Sequence, residues 1–155
     1  MKKQAYFTPY ITIISLLKQG VSPKELALGL SLGGTLGVIP LLGVSSVLSL
    51  ILAWTLQLNI VAVQAANYLA DPLQIVLMGV YFTSGAWLFG QGDYSASVYD
   101  SLALVRSNLM GALSNLKDYA LYATTVWVLT SPFIAILIYI PFRFIADKLS
   151  RKPRF

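Results

Sequence analysis

Histidine and cysteine are both absent from this 155-residue chain. Their absence excludes thiol nucleophiles, disulfides, histidine acid–base relays and every zinc site built on His or Cys. Carboxylates are scarce as well. The six acids, Glu25, Asp71, Asp93, Asp100, Asp118 and Asp147, are spread along the chain instead of gathered as a carboxylate metal site needs. The sequence therefore predicts no catalytic residues, no metal and no cofactor, and it argues against an enzyme. Charge of either sign is thin: 11% of residues are charged and 57% hydrophobic, with a mean hydropathy of +0.72. A soluble domain carries about 25% charged residues to hydrate its surface. Much of this surface is expected to face lipid.

No formal charge occurs from Leu26 to Ala70, from Pro72 to Gly92, or from Tyr119 to Phe142. A spanning helix needs roughly 20 mostly apolar residues, which the last two runs supply. The first run is longer than one span and must fold back or break. The charges that remain flank these runs. Lys2, Lys3, Lys18 and Lys24 precede them, while Arg143, Lys148, Arg151, Lys152 and Arg154 follow. In that arrangement the net charge of +5 reads as an orientation signal and not as a nucleic-acid surface. Both termini are expected in the cytoplasm and residues 93–118 outside, and the basic C-terminal cluster suits anionic headgroups. Lys18 and Lys24 interrupt any signal-peptide pattern.

The predicted fold is all-α: a single polytopic membrane domain over residues 1–155. Residues 1–24 read as a cytoplasmic, interfacial helix too short to span. Residues 25–92 read as two interrupted membrane units, 93–118 as an external amphipathic helix, 119–142 as a transmembrane helix and 143–155 as a basic tail. Ser22-Pro23-Lys24-Glu25 is a helix start, with Ser22 as N-cap, Pro23 in the first position and Glu25 completing a capping box. Pro40 should break the helix that follows, because it has no N–H and pushes Ile39 towards extended geometry. Residues 26–58 would measure about 50 Å as one helix, short of two full crossings. Two shortened helices in a re-entrant or squat hairpin fit better. Gly29, Gly33 and Gly37 recur every four residues and form a stripe that permits close helix packing, with Gly43 beyond the break. The second unit should break at Asp71-Pro72.

The ordered elements Ser22-Pro23, Ala27-Leu28-Gly29, Gly33, Gly37-Val38-Ile39-Pro40 and Gly43, followed by Asn59 and Asp71-Pro72-Leu73, carry a resemblance. The chain resembles a bacterial membrane family catalogued as domain of unknown function 2062, most closely over residues 20–92. The departure is at Asp71 and Gln74, where the family pattern has asparagine and a small hydroxyl residue. The resemblance implies a small bacterial inner-membrane protein. It carries no activity.

Asp71 is the one formal charge between Glu25 and Asp93. An acid inside a membrane segment is a functional candidate by default. Asn67 and Gln64 share its helical face and Gln74 lies close by, so these four, with the Pro40 break, are the candidate substrate site. Asp-Pro at a helix junction can equally be an ordinary cap or turn. Two functional classes follow. One is a small transporter or lipid flippase for a lipid or small polar solute, working as a homodimer because so few helices make a thin wall. The other is a non-transporting scaffold or accessory subunit that docks a partner through its glycine-rich helix.

Overall fold

A computed structural model describes residues 21–41, 43–92 and 109–150, the last segment with side chains from 116 onward. The described residues form helices and turns with no strand. The four helices are α1 (Pro23–Gly37), α2 (Val44–Thr55), α3 (Ile60–Leu88) and α4 (Leu109–Ser150). The expectations for residues 1–20, 93–108 and 151–155 lie outside the described residues.

Helix α1 starts as its sequence predicts. The Ser22 hydroxyl accepts from the Glu25 N–H at 3.2 Å, and the Glu25 carboxylate accepts from the Ser22 N–H at 3.1 Å. The helix stops at Gly37, three residues before Pro40. A tight turn follows, held by the Ile39 N–H to the Leu36 carbonyl and the Leu41 N–H to the Ile39 carbonyl. Gly43, at φ +81°, then launches α2. At the far end of α2, Gln57 takes a left-handed conformation (φ 54°) while Leu58 donates back to the Ala53 carbonyl. That geometry closes a helix in the Schellman manner. Helix α3 ends the same way, with glycine in the left-handed place: Gly90 has φ 67° and Gln91 donates to the Ala86 carbonyl.

Helix α1 is the centre of the molecule. Its glycine face lies on α3, where a Cβ at Gly29 would stand 3.4 Å from Val63 Cγ2 and one at Gly33 would land on the Val63 carbonyl. A Cβ at Gly37 would stand 2.6 Å from Ala70 Cβ. The opposite face of α1 meets α4, which runs antiparallel to it. Helices α3 and α4 touch at Gly85, whose missing Cβ admits the backbone of Tyr122 and Ala123. Two apolar clusters result. Leu36, Val38 and Ile39 pack with Tyr81, Phe82, Ala123 and Trp127 around the hairpin turn. Leu26, Ala62 and Ala146 pack where α1 begins and α4 ends.

Three expectations need correction. The second unit is not broken: α3 runs through Asp71-Pro72 as one 29-residue helix. Proline removes only the bond that the Tyr68 carbonyl would accept, and packing on both sides of Pro72 keeps the axis helical. Residues Ala66 and Asn67 before it are buried, as are Gln74, Tyr81 and Phe82 after it. The cap reading of Asp71 falls with the break, since the N-cap of α3 is Asn59, whose side chain accepts from the Ala62 N–H at 2.9 Å. Helix α4 likewise has no boundary at residue 118 or 142; it continues from Leu109 to Ser150 through Pro132 and Pro141. Finally, Gly43 packs against no helix. A Cβ there would meet nothing within 4 Å, so its role is the positive φ of the turn.

The outside of this bundle is apolar. Trp54, Ile75, Trp87, Phe133 and Leu137 are each at least 70% exposed. Helices α3 and α4 are long and apolar enough to cross a membrane, and no residue of the most apolar stretch of α4 is buried. The core helix of a soluble protein would show the reverse pattern.

Candidate functional site

The polar residues singled out in the sequence gather along the seam between the hairpin and α3. Asn67, completely buried, accepts from the Ser49 hydroxyl at 3.1 Å through Oδ1 and donates to the Ser46 hydroxyl at 3.1 Å through Nδ2. One turn earlier, Gln64 Nε2 donates to the Ser46 carbonyl at 3.0 Å. These bonds zip α2 to α3. Two serines spaced three apart on α2 meet an asparagine and a glutamine spaced three apart on α3, the repeat that places side chains on one helical face. Ser46 and Ser49 were missed in the sequence. Their spacing was visible there, but nothing in the sequence says which helix their face meets.

Gln74 has a different partner. Its Nε2 donates to the Ile39 carbonyl at 2.7 Å, and the glutamine side chain is buried. The Pro40 break takes Ile39 out of helical bonding, and Val38, Ile39 and Pro40 are all buried at that point. The Leu41 N–H already donates to the Ile39 carbonyl at 2.8 Å, and Gln74 fills its second acceptor site. It also fixes depth: Gln74 stands fourteen residues from each end of α3, so the hairpin turn packs against the midpoint of the long helix. Replacing Gln74 with Leu keeps the volume and removes the donor. We expect Gln74→Leu to lower stability by about 0.5–1.5 kcal/mol, the net contribution of one hydrogen bond to a carbonyl that keeps its Leu41 N–H donor, read as a lower melting temperature in detergent. A melting temperature equal to wild type would mean that the Ile39 carbonyl does not depend on this bond.

Asp71 is half-buried on α3, one turn past Asn67 and one turn before Gln74, beside this same seam. Of the five candidate residues, Asn67, Gln64 and Gln74 spend their amide donors on the hairpin, and Pro40 is buried as its break point. Asp71 takes no part in that web of hydrogen bonds. The Gln64 Oε1 is buried without a protein partner. The seam thus holds one carboxylate and one unsatisfied amide oxygen at and below the hairpin tip. Among the described residues there is no group of three or more potential metal ligands. The glycine stripe of α1 lies beneath this seam, already covered by α3.

Helix α4 closes the other side of the hairpin with equal attention to backbone polarity. Trp127 Nε1 donates to the Thr35 carbonyl at 3.1 Å, satisfying an acceptor in the last turn of α1. The Ser31 hydroxyl donates to the Ala135 carbonyl at 2.7 Å. Pro132 deprives the Val128 carbonyl of its helical donor, and the Ser131 hydroxyl donates to it instead at 2.9 Å. Trp127, too deep in its run for an interfacial aromatic, is a backbone cap for the hairpin.

No curated protein and no solved structure matches the chain. Residues 11–154 match the sequence model of a family described as an uncharacterized protein conserved in bacteria, DUF2062, and the chain belongs to that family.

Proposed function

We propose that this protein crosses a bacterial inner membrane twice, through α3 and α4, with α1 and α2 entering from one side as a re-entrant hairpin, and that it works as a transporter or lipid flippase whose polar element is Asp71. The observation that carries the proposal is a half-buried carboxylate on a membrane-length helix, level with the broken tip of a hairpin. Charged groups at membrane depth are costly and mark pathways. Irregular backbone at that depth is tolerated where protein covers it or a cavity meets it, and transporters place their sites at such breaks. Helix α3 measures about 43 Å at 1.5 Å per residue, enough to span a core of about 30 Å. Its midpoint, and the hairpin turn against it, then fall near mid-bilayer. One copy offers a thin wall, so a homodimer is the working unit. A scaffold docking through the glycine face of α1 is the poorer reading, because α3 already fills that face.

Lys24, Arg143 and Lys148 belong to the end where α1 begins and α4 finishes. The positive-inside bias assigns that end to the cytoplasm. The chain has no cysteine, so single cysteines at Ser22, Ser107 and Ser150 report topology directly. In intact cells an impermeant thiol reagent is expected to label the cysteine at 107 and to spare those at 22 and 150. Labelling of 22 or 150 without 107 reverses the orientation, and a cysteine at 107 that stays unlabelled in intact cells like those at 22 and 150, yet reacts after lysis, removes the two-crossing assignment. Transport itself is tested by collapse of an imposed pH gradient in liposomes, and flipping by fluorescent-lipid exchange between leaflets. Both compare wild type with Asp71→Asn.

A further inference from the structure

A groove of about 590 Å³ runs between α1 and α4, away from the polar seam. Leu28, Leu32 and Leu36 line it from α1, and Trp127, Pro132 and Ala135 from α4. We propose that it seats one acyl chain of an anionic phospholipid, held from the end of the molecule where α1 begins. This inference rests on the membrane placement argued above.

The walls are dressed for an apolar occupant. Three backbone carbonyls border the groove or its lining helices where ordinary helical bonding is interrupted or supplemented, and a side chain donates to each. Trp127 bonds the Thr35 carbonyl, Ser31 the Ala135 carbonyl and Ser131 the Val128 carbonyl. Both serine hydroxyls are spent in this way, so they offer no hydrogen to a headgroup. The Thr35 Oγ1 is buried at the inner end and has no protein partner. Apart from that hydroxyl, what remains along the groove is methyl, methylene, proline ring and indole.

Length and charge select the occupant. Leu28 to Leu36 spans about 12 Å at 1.5 Å per residue, most of one leaflet of a core about 30 Å thick. The inner end stops at Trp127 and Thr35, near the hairpin tip and therefore near mid-bilayer. The outer end opens by Leu28 and Leu58, and exposed Lys24 stands one helical turn from Leu28 on the same face. Arg143 at that end is already paired with Asp147 at 3.1 Å. Of the exposed lysines described there, Lys24 and Lys148, Lys24 shares the α1 face that lines the groove and is placed to meet a lipid phosphate. The volume is within the roughly 300–1,000 Å³ of small-ligand sites. A diacyl lipid thus fits with one chain inside the groove, the other in the bilayer and the phosphate beside Lys24.

Tryptophan quenching tests this. The chain has three tryptophans: Trp127 is buried at the inner end, whereas Trp54 and Trp87 are 74% and 80% exposed. A Trp54→Phe/Trp87→Phe protein, reconstituted into phosphatidylglycerol brominated along its acyl chains, is expected to lose most of its Trp127 emission. Brominated phosphatidylcholine at the same bromine content should quench less, and Lys24→Glu should abolish that difference. Filling the groove by Ala135→Phe, or by Leu32→Phe if the first variant does not fold, should restore emission. Unquenched Trp127, or quenching indifferent to both plugs and to headgroup, overturns the proposal. Single-tryptophan proteins keeping only Trp54 or only Trp87 separate the causes. If they are quenched while Trp127 is not, the groove is empty of lipid although the protein is in the membrane; if they too are unquenched, the membrane placement fails and the groove proposal fails with it.

Discussion

Gly33→Ala is expected to destabilise the protein by at least about 3 kcal/mol, the upper end of typical overpacking costs. The added methyl would land on the Val63 carbonyl and come within 3.0 Å of Ala66 Cβ. Both obstacles belong to the backbone or its first atom on α3, so no rotamer change relieves them. Helix α1 would have to move off α3, and the hydrogen bonds of the seam would lengthen with it. The other glycines give an internal scale. Gly29→Ala, with its nearest neighbour at 3.4 Å, should be tolerated, whereas Gly37→Ala faces Ala70 Cβ at 2.6 Å and the Asn67 carbonyl at 2.8 Å and should behave like Gly33→Ala. Gly79 has open space around its Cβ position. Gly79→Ala should therefore be neutral or gain up to about 1 kcal/mol of helix propensity. Thermal unfolding in detergent orders the four variants. A Gly33→Ala protein as stable as Gly79→Ala would mean that α1 and α3 are not this close.

The second large effect is expected at Asp71, and it has opposite signs in stability and activity. The residue sits inside a continuous helix, where alanine is the better former by up to about 0.7 kcal/mol. A carboxylate at the centre of a membrane helix costs about 2.5–3.5 kcal/mol on insertion scales, and half-burial beside a polar seam recovers part of that. Asp71→Asn removes the charge and keeps the shape; Asp71→Ala removes both. Each variant should unfold at a higher temperature than wild type. Each should also lose the pH-gradient collapse or lipid exchange that the transport proposal expects of wild type in liposomes. A residue retained at a cost in stability and needed for activity is the signature of a functional site. If Asp71→Asn matches wild type in both liposome assays, the carboxylate is not part of a pathway and the transport proposal falls. If both substitutions lower the melting temperature, Asp71 is instead holding the structure together.

The break at Pro40 and the intact passage through Pro72 show where local reasoning stops. Both prolines lack an N–H and both follow a residue they push from helical geometry, so the sequence treats them alike. The difference is in what surrounds them. Before Pro40 the chain is pinned by glycines that let α3 approach, and after it Gly43 provides the positive φ that reverses direction. Around Pro72 no such residue follows, and Asn67 and Gln74 are tied to the hairpin on either side, holding α3 straight. The candidate site divides in the same way. That Gln64, Asn67 and Asp71 share a face was legible from helical spacing, whereas Gln74 was expected close by across a break that does not occur. Their partners were not, because Ser46 on α2 and the Ile39 carbonyl are distant in sequence and any of several faces could have met them.

The sequence by itself determined the class of molecule: helical, poor in charge, without thiol or imidazole chemistry, capped at Ser22, broken at Pro40 and striped with small residues on α1. Those features are local, set by composition, by proline and glycine stereochemistry and by side chains bonding their own neighbours. Only the tertiary structure decided that the glycine stripe faces α3, that Gln74 seals the hairpin tip at the midpoint of that helix, and that Trp127 caps α1. Each of these is a contact between surfaces far apart in the chain. Periodicity tells which residues share a face, but burial of backbone polar groups and close packing choose the face it meets.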